Sequence, residues 1–325
     1  MIKRNKHLPW IQNVEKNVVK FEICNNEIDL VFSKIIRYIQ NPFIMLFVSR
    51  KLSNRLLNLH WIKKKLQKTD LTLHEIVKKW CENSNQTLIQ YGPIHLWDTS
   101  QVTYMSNLFC DQNFKGNIGK WNTSNVTQMS CMFKNSKFQG DISKWDVSKV
   151  VNMDEMFMNS NFDGDIGGWN VSQVINLNGM FQNSKFNSDI GNWNVSNVSH
   201  MTQMFRGSVF NCDISKWNIS KVTNMEGMFS QSKFNGNLSE WDVFNVKDMS
   251  HLFETSIFDG VISNWNTSNV TDMNCMFHKS KFDGNIMKWD VHNIKHMEYM
   301  FSNSVLIRLL VIGTYLKSKT CLICF

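Results

Sequence analysis

The hydrophobic positions of the chain repeat with a fixed period of 24 residues from Trp97 onward. One tryptophan and one phenylalanine mark each period, and no insertion or deletion interrupts the spacing. The tryptophans are Trp97, Trp121, Trp145, Trp169, Trp193, Trp217, Trp241, Trp265 and Trp289. The phenylalanines are Phe109, Phe133, Phe157, Phe181, Phe205, Phe229, Phe253, Phe277 and Phe301. A constant period of roughly 20–50 residues is typical of a solenoid, whose units bury their apolar faces against each other.

A single period contains the pattern of a short strand followed by a short helix. Trp121 and Thr123 alternate with polar residues, and the position two after tryptophan is β-branched in every repeat, which suits a pleated surface. Ser124 fits an N-cap, and apolar spacings of three and four predict a helix or 3-10 segment over residues 125–133. The sequence therefore predicts an α/β repeat solenoid of nine coils, with successive strands side by side in a parallel sheet.

The tryptophan column admits two interpretations, an aromatic binding stripe or a core. The β-branched position and the Met and Phe positions that accompany each tryptophan favour the core. Specificity for a partner is then expected at positions that do not repeat. Examples are Arg206, Phe244, Glu254 and His292.

The repeats and the residues before them differ in net charge. Residues 1–96 carry 16 Lys/Arg and 7 Asp/Glu, whereas residues 97–301 carry 16 and 20. A basic segment is found in proteins that bind nucleic acid or a membrane surface, but it is more typical of a solvated helical surface. Because the long repeat surface is mildly acidic, we expect no nucleic-acid partner. Residues 1–69 are predicted to form a basic helical head.

Residues 26–57 within this head have apolar side chains at spacings of three and four, which predict helices. The segment resembles an F-box, a short helical module that docks target receptors onto the adaptor of cullin-RING ubiquitin ligases. Asn25 and Asn26 stand where that family usually has Leu-Pro, and Leu52 stands where tryptophan is common. A plain helical cap is the alternative. The resemblance implies that the adaptor-binding residues are Ile28, Ile35, Ile36, Ile39, Pro42 and Val48.

The segments that flank the repeats are predicted to close or end the stack. An amphipathic helix from Asp70 to about Glu82, with Asp70 or Thr72 as its cap, and a turn ending at residue 93 would cover the first coil. After Ser304 the pattern degrades. Residues 305–325 are therefore either a degenerate capping coil or the tail of an interrupted array.

No group of residues predicts catalysis, a cofactor or a metal. The nine histidines keep no column, and none belongs to a nucleophile, phosphate-loop or metalloprotease motif. The eight cysteines are scattered, which favours reduced thiols, and Cys321-Leu-Ile-Cys324 lacks a second Cys/His pair for zinc. The aspartates that follow tryptophan alternate with asparagine, which argues against calcium.

The sequence contains neither a recognisable signal peptide nor an apolar run long enough for a transmembrane helix. The longest apolar tract, 305–316, is interrupted by Arg308 and is too short to span a bilayer. We therefore expect an intracellular location.

The repeat motif itself resembles a known family. The pattern Trp-Asp/Asn-Val-Ser-x-Val-x-x-Met-x-x-Met-Phe-x-x-Ser-x-Phe-x-Gly-x-Ile over residues 94–304 is similar to that of BspA-like leucine-rich-repeat surface proteins. The resemblance implies a leucine-rich-repeat-like solenoid with non-catalytic binding roles. We expect a scaffold that binds a protein partner. The alternatives are an F-box-type receptor for a ubiquitin ligase and a surface-exposed adhesin.

Overall fold

The computed structural model describes residues 68–305, which belong to the compact unit Lys63–Phe325. Two α-helices, α1 (Asp70–Glu82) and α2 (Ser84–Tyr91), and a 3-10 helix (Ile94–Leu96) precede the repeats. The F-box-like hypothesis for residues 26–57, and the coil or tail predicted after residue 305, fall outside the described residues.

Helix α1 has the predicted bounds, but its cap is neither Asp70 nor Thr72. Its N-cap is Thr69, whose backbone amide donates a hydrogen bond to Thr72 Oγ1 at 2.9 Å. This reciprocal arrangement satisfies amide groups that the first helical turn leaves without partners. The helix buries Leu73, Ile76 and Val77 on one face. The carboxylate of Asp70 is thereby left for a different contact.

The Asp70 carboxylate binds backbone amides of the first repeat. Its oxygens accept hydrogen bonds from the Thr103 amide at 2.7 Å, the Thr103 hydroxyl at 2.7 Å and the Tyr104 amide at 3.0 Å. In the next repeat, the amide equivalent to that of Thr103 belongs to Thr127 and donates to the Thr103 carbonyl at 2.8 Å. Asp70 therefore takes the place of the carbonyl that a preceding repeat would supply.

The backbone at the tryptophan position forms turns, and the expected strand does not lie there. The Trp121 amide donates to the Ile118 carbonyl at 3.0 Å, and the Val126 amide donates to the Thr123 carbonyl at 2.9 Å. These local bonds occupy groups that a strand would use between repeats. The parallel pairing instead occurs seven residues after tryptophan, as isolated bridges. They join Tyr104, Gln128, Asn152, Asn176, His200, Asn224, Asp248, Asp272 and His296 in succession.

The segment predicted as a helix over residues 125–133 is a series of turns. The amides of Cys131 and Phe133 donate to carbonyls of the following repeat at 2.8 and 2.9 Å, whereas the Met132 amide donates three residues back at 3.2 Å. An α-helix satisfies its amides within itself, so this alternation is incompatible with one. Cys131 and Asn135 have positive φ angles of 56° and 55°, which reverse the chain in each turn.

The aromatic columns lie inside the stack of repeats. The nine tryptophans of the repeats are 3–8% exposed, and Phe109 to Phe277 are 0% exposed, while Phe301 in the last repeat is partly buried. Neighbouring rings stack, as in the Phe133–Phe157 pair with centroids 5.5 Å apart. Each indole N–H from Trp121 to Trp289 donates to the carbonyl 27 residues earlier. The repeats are thus joined by both packing and hydrogen bonds.

Candidate functional site

Three positions in each repeat hold different residues from one repeat to the next and lie at the surface of the turns. They are the residues three and two before the repeat phenylalanine and the residue one after it, and we call them the turn face. Most of their side chains are half-buried. Their chemistry varies widely, whereas the core columns hold nearly constant residues. In the three central repeats the turn face consists of Thr202, Gln203, Arg206, Glu226, Gly227, Ser230, Ser250, His251 and Glu254.

Near the N-terminal end of the turn face, an ion pair joins two repeats. Lys134 Nζ lies 2.5 Å from Glu155 Oε2, and the Cys131 thiol donates to the same carboxylate oxygen at 3.4 Å. Burial, together with this hydrogen bond, raises the pKa of the Cys131 thiol to about 11. The thiol is therefore protonated at neutral pH and is a poor nucleophile.

Cys131, Asp154 and Glu155 are the residues of the described chain whose ligand atoms lie close enough together to hold a metal ion, within 4.8 Å of one another. Glu155 is already paired with Lys134. A metal would also require the Cys131 thiolate, which the raised pKa of that thiol disfavours. The arrangement fits an ion pair better than a metal site.

A second polar cluster joins the repeats of Phe253 and Phe277. His251 Nδ1 lies 3.0 Å from Glu254 Oε2, and His278 Nδ1 lies 3.2 Å from Glu254 Oε1. Burial raises the pKa of Glu254, but hydrogen bonds from His278 and His251 outweigh it, so the pKa lies below its ordinary value. Both carboxylate oxygens are thus occupied and the group is held in its charged form.

This cluster predicts a pH dependence of stability. Because the folded-state pKa of Glu254 is lowered, its contribution is fully present above the ordinary value of 4.5 and is lost as the pH falls through the folded-state value. We expect Glu254→Gln to lower the melting temperature at neutral pH, with a difference from the native chain that shrinks steadily below pH 4.5. Thermal melts across this range provide the measurement.

Glu240→Gln is the matched control for this pH series, because Glu240 is exposed and accepts a hydrogen bond from the Ser239 hydroxyl at 3.1 Å. The control variant should follow the native chain at every pH. A Glu254→Gln variant whose melting temperature differs from that of the native chain by the same amount at all pH values would contradict the assignment.

A cavity of about 160 Å³ opens on the turn face next to the second cluster. Gln203 and Arg206 line it from one repeat, Glu226, Gly227 and Ser230 from the next, and His251 and Glu254 from the third. The middle repeat has its two smallest turn-face residues here, and their small size leaves the space open.

Several polar groups around the cavity make only long hydrogen bonds or none. Arg206 Nη1 donates to Gln203 Oε1 at 3.4 Å, and Gln203 Nε2 donates to Glu226 Oε1 at 3.3 Å. Both distances are at the long end for such bonds. The Ser230 side chain is 0% exposed, and its hydroxyl has no hydrogen-bond partner in the part of the chain that the structure describes. His251 with Glu254 has the form of the His–carboxylate half of a catalytic triad, but the Ser230 hydroxyl is not hydrogen-bonded to the imidazole.

Comparison with known families identifies the repeats. The chain matches the family described as "Mycoplasma protein of unknown function, DUF285" three times in tandem, over residues 78–185, 158–257 and 230–308. Together the matches cover more than two thirds of the chain. The chain belongs to the DUF285 family. Searches of the curated proteins and of the solved structures found no significant match.

The DUF285 repeats place the sequence-predicted residues in two different environments. The tryptophan and phenylalanine columns are in the core, where a partner cannot reach them. Of the residues expected to give specificity, Arg206 and Glu254 line the turn-face cavity. Phe244 and His292 are exposed at another position, three residues after the repeat tryptophan. Two of the four residues that the sequence singles out for specificity therefore line the cavity.

Gly227 and Ser230, the two small residues that line the cavity, were not identified from the sequence. The available signal was the coincidence of two small residues at turn-face positions of one DUF285 repeat, next to larger residues in both neighbours. A second, larger crevice of about 270 Å³ lies around residues 263–267, Lys288 and Asp290. Trp265, Asn266 and Thr267 in its lining have counterparts in other DUF285 repeats, so this crevice has little that distinguishes one repeat from another.

The part of the chain that the structure describes contains no helix that is long and apolar enough to cross a bilayer.

Proposed function

We propose that the DUF285 repeats form a leucine-rich-repeat-like solenoid that serves as a non-enzymatic scaffold for a protein partner. The fold proposal is supported by the parallel bridges and hydrogen bonds between residues 23–27 positions apart. The BspA-like motif over residues 94–304 supports the same class. In such a stack, a partner meets an extended surface built from side chains of successive repeats.

The observation that carries the binding role is the contrast between the core and the turn face. The core columns repeat the same residue, which serves stacking. The turn face instead combines Lys134, Glu155, Arg206, Glu254 and other differing side chains in half-buried positions. Half-buried charged and amide groups recognise a partner through specific hydrogen bonds at low entropic cost, because packing already restricts their rotamers. Side chains that differ between repeats, displayed on a constant core, are what a specific binding surface requires.

The proposal predicts that partner binding depends on the turn face. Full-length chain and an Arg206→Ala/Glu254→Ala double variant would each be used for affinity purification followed by mass spectrometry. We expect recovery of a specific partner to fall at least about tenfold with the variant, because removing one member of a buried polar contact costs about 2 kcal/mol or more.

A Lys144→Ala/Lys216→Ala double variant is the control, because both lysines directly precede a repeat tryptophan and are exposed away from the turn face. It should recover the partner as the native chain does. Equal recovery by both double variants would contradict the turn-face assignment, and loss by the lysine variant alone would place the binding surface at the tryptophan turns.

The adaptor-binding hypothesis for residues 26–57 stays a prediction from the sequence. That hypothesis concerns binding of an adaptor by the N-terminal head, whereas the turn-face proposal concerns binding of a protein partner by the repeats. The same purification with Ile35→Asp/Ile39→Asp in the full-length chain separates the two, since that variant leaves the turn face intact.

A further inference from the structure

The cavity on the turn face is a local feature of one repeat. Two repeats earlier, Gln182 occupies the position equivalent to Ser230, and its side chain is itself buried. The position equivalent to Gly227 holds Gln203 in the preceding repeat and His251 in the following one. Where larger side chains stand, they fill the turn face. At Gly227 and Ser230 they are missing, so the space of about 160 Å³ is lined by the side chains of the neighbouring repeats.

Opposite charges face this cavity without being paired to each other. Among the described residues, no carboxylate lies within ion-pair distance of Arg206 and no cation lies within that distance of Glu226. Gln203 stands between them and makes one long hydrogen bond to each, of 3.4 and 3.3 Å. Long bonds of this kind are weak. A ligand that offers a carboxylate to Arg206 and a cation to Glu226 would form shorter, charge-assisted bonds with both.

The hydroxyl of Ser230 independently points to a ligand. It is fully buried at the cavity and has no hydrogen-bond partner among residues 68–305. Leaving a buried hydroxyl without a partner is unfavourable, and native proteins rarely do so. A bound polar group beside Ser230 would satisfy it.

The size of the cavity limits what can enter. Its volume of about 160 Å³ is below the roughly 300–1,000 Å³ typical of pockets for drug-sized ligands. The occupant must therefore be small, and the charges of Arg206 and Glu226 favour one that carries two opposite charges close together. We propose that this cavity binds a small α-amino acid as its zwitterion, with the carboxylate at Arg206, the ammonium at Glu226 and one of the polar groups at the Ser230 hydroxyl. This site goes beyond the scaffold role and does not rest on it.

The test uses the full-length chain and three probes: glycine, acetate and methylammonium. Ligand-detected NMR would measure binding. Glycine is expected to bind, whereas acetate and methylammonium, which each carry one of its two charges, are expected to bind at least about tenfold more weakly, because each loses one charge-assisted contact. Equal binding of glycine and either single-charge probe would overturn the proposal.

Three variants locate the site. Ser230→Gln places in the cavity the side chain that Gln182 already has at the equivalent buried position, so it should abolish glycine binding while the repeat stays folded. Arg206→Gln should weaken binding of glycine at least about tenfold. Ser280→Ala is the matched control, because the Ser280 hydroxyl is also buried without a partner but lines neither cavity.

The control should bind glycine as the native chain does. Native-like glycine binding by Ser230→Gln would overturn the assignment of the site, and absence of glycine binding to the native chain would overturn the proposal as a whole. Neither result bears on partner recovery by the turn face, so the two proposals fail separately.

Discussion

Replacing Trp193 by alanine is expected to lower the free energy of unfolding by about 3–5 kcal/mol, the range for large-to-small aromatic truncations in a core. The indole is 3% exposed and stacks on Trp217, with ring centroids 6.5 Å apart. Its N–H donates to the Ile166 carbonyl at 3.0 Å. That carbonyl also accepts from the Trp169 amide at 3.0 Å, so it is not orphaned. The loss therefore comes mainly from the cavity.

Urea denaturation followed by far-ultraviolet circular dichroism measures this effect. Trp193→Phe keeps much of the stacking and should cost less than Trp193→Ala, because the substitution removes one hydrogen bond and part of the ring. Phe244→Ala is the control, since the Phe244 side chain is 46% exposed, and it should stay within about 0.5 kcal/mol of the native chain. If Trp193→Ala were no more destabilising than this control, the tryptophan column would not be the core of the repeats.

In the proposed solenoid each repeat contacts its neighbours, so the consequence of this truncation is expected to extend beyond one residue. Stability of such an array is approximately a sum of repeat terms and interface terms. Trp193 contributes to two interfaces, through Trp217 on one side and the Ile166 carbonyl on the other. We expect hydrogen exchange to become faster first in the repeats that adjoin Trp193.

The buried columns could be predicted from the sequence because they follow from the period alone. A residue type that recurs every 24 positions occupies the same place in every repeat, and burial of a whole column of large apolar residues such as Trp121 and Phe133 is strongly favourable. The helix between them was predicted wrongly for a related reason. Spacings of three and four fit a series of tight turns as well as a helix, and the apolar pattern does not distinguish them.

The polar residues of the sequence contain information on the conformation of these turns that the apolar spacing does not. Asn135, Asn159 and Asn183 share one position and have φ angles of 55°, 54° and 53°. Asparagine is one of the few residues that adopt this left-handed region readily. Repeated asparagine at this position therefore indicates a turn where the apolar spacing suggests a helix. Gln231, Thr255 and Lys279 adopt the same region at the equivalent position of later repeats.

The candidate site could be predicted only in part, because it depends on contacts between repeats. Glu254 and His278 are 24 residues apart and touch through equivalent positions. Such a pair becomes visible once the register of the stack is known. The cavity depends on space left by Gly227 and Ser230, and a single sequence shows small residues without showing whether neighbours fill the gap.

Replacing Asp70 by alanine is expected to destabilise the N-terminal end of the array by about 2 kcal/mol, because hydrogen bonds to a charged group contribute about 1.5–3 kcal/mol and water can replace part of them at this exposed edge. Burial raises the pKa of Asp70, but hydrogen bonds from Thr103 and Tyr104 outweigh it and lower the pKa. The contribution is therefore present above the ordinary value of 3.8 and is lost as the pH falls through the folded-state value.

The Asp70 effect should be local, which makes it separable from that of Trp193. Without the carboxylate, the amides of Thr103 and Tyr104 have no repeat before them to supply an acceptor. Hydrogen exchange followed by mass spectrometry should show lost protection in α1 and the first repeat, with the central repeats unchanged. Glu75→Ala, an exposed substitution on the same helix, should leave the pattern as it is. Uniform loss of protection along residues 70–300 would show that Asp70 acts on the whole array rather than on its first edge.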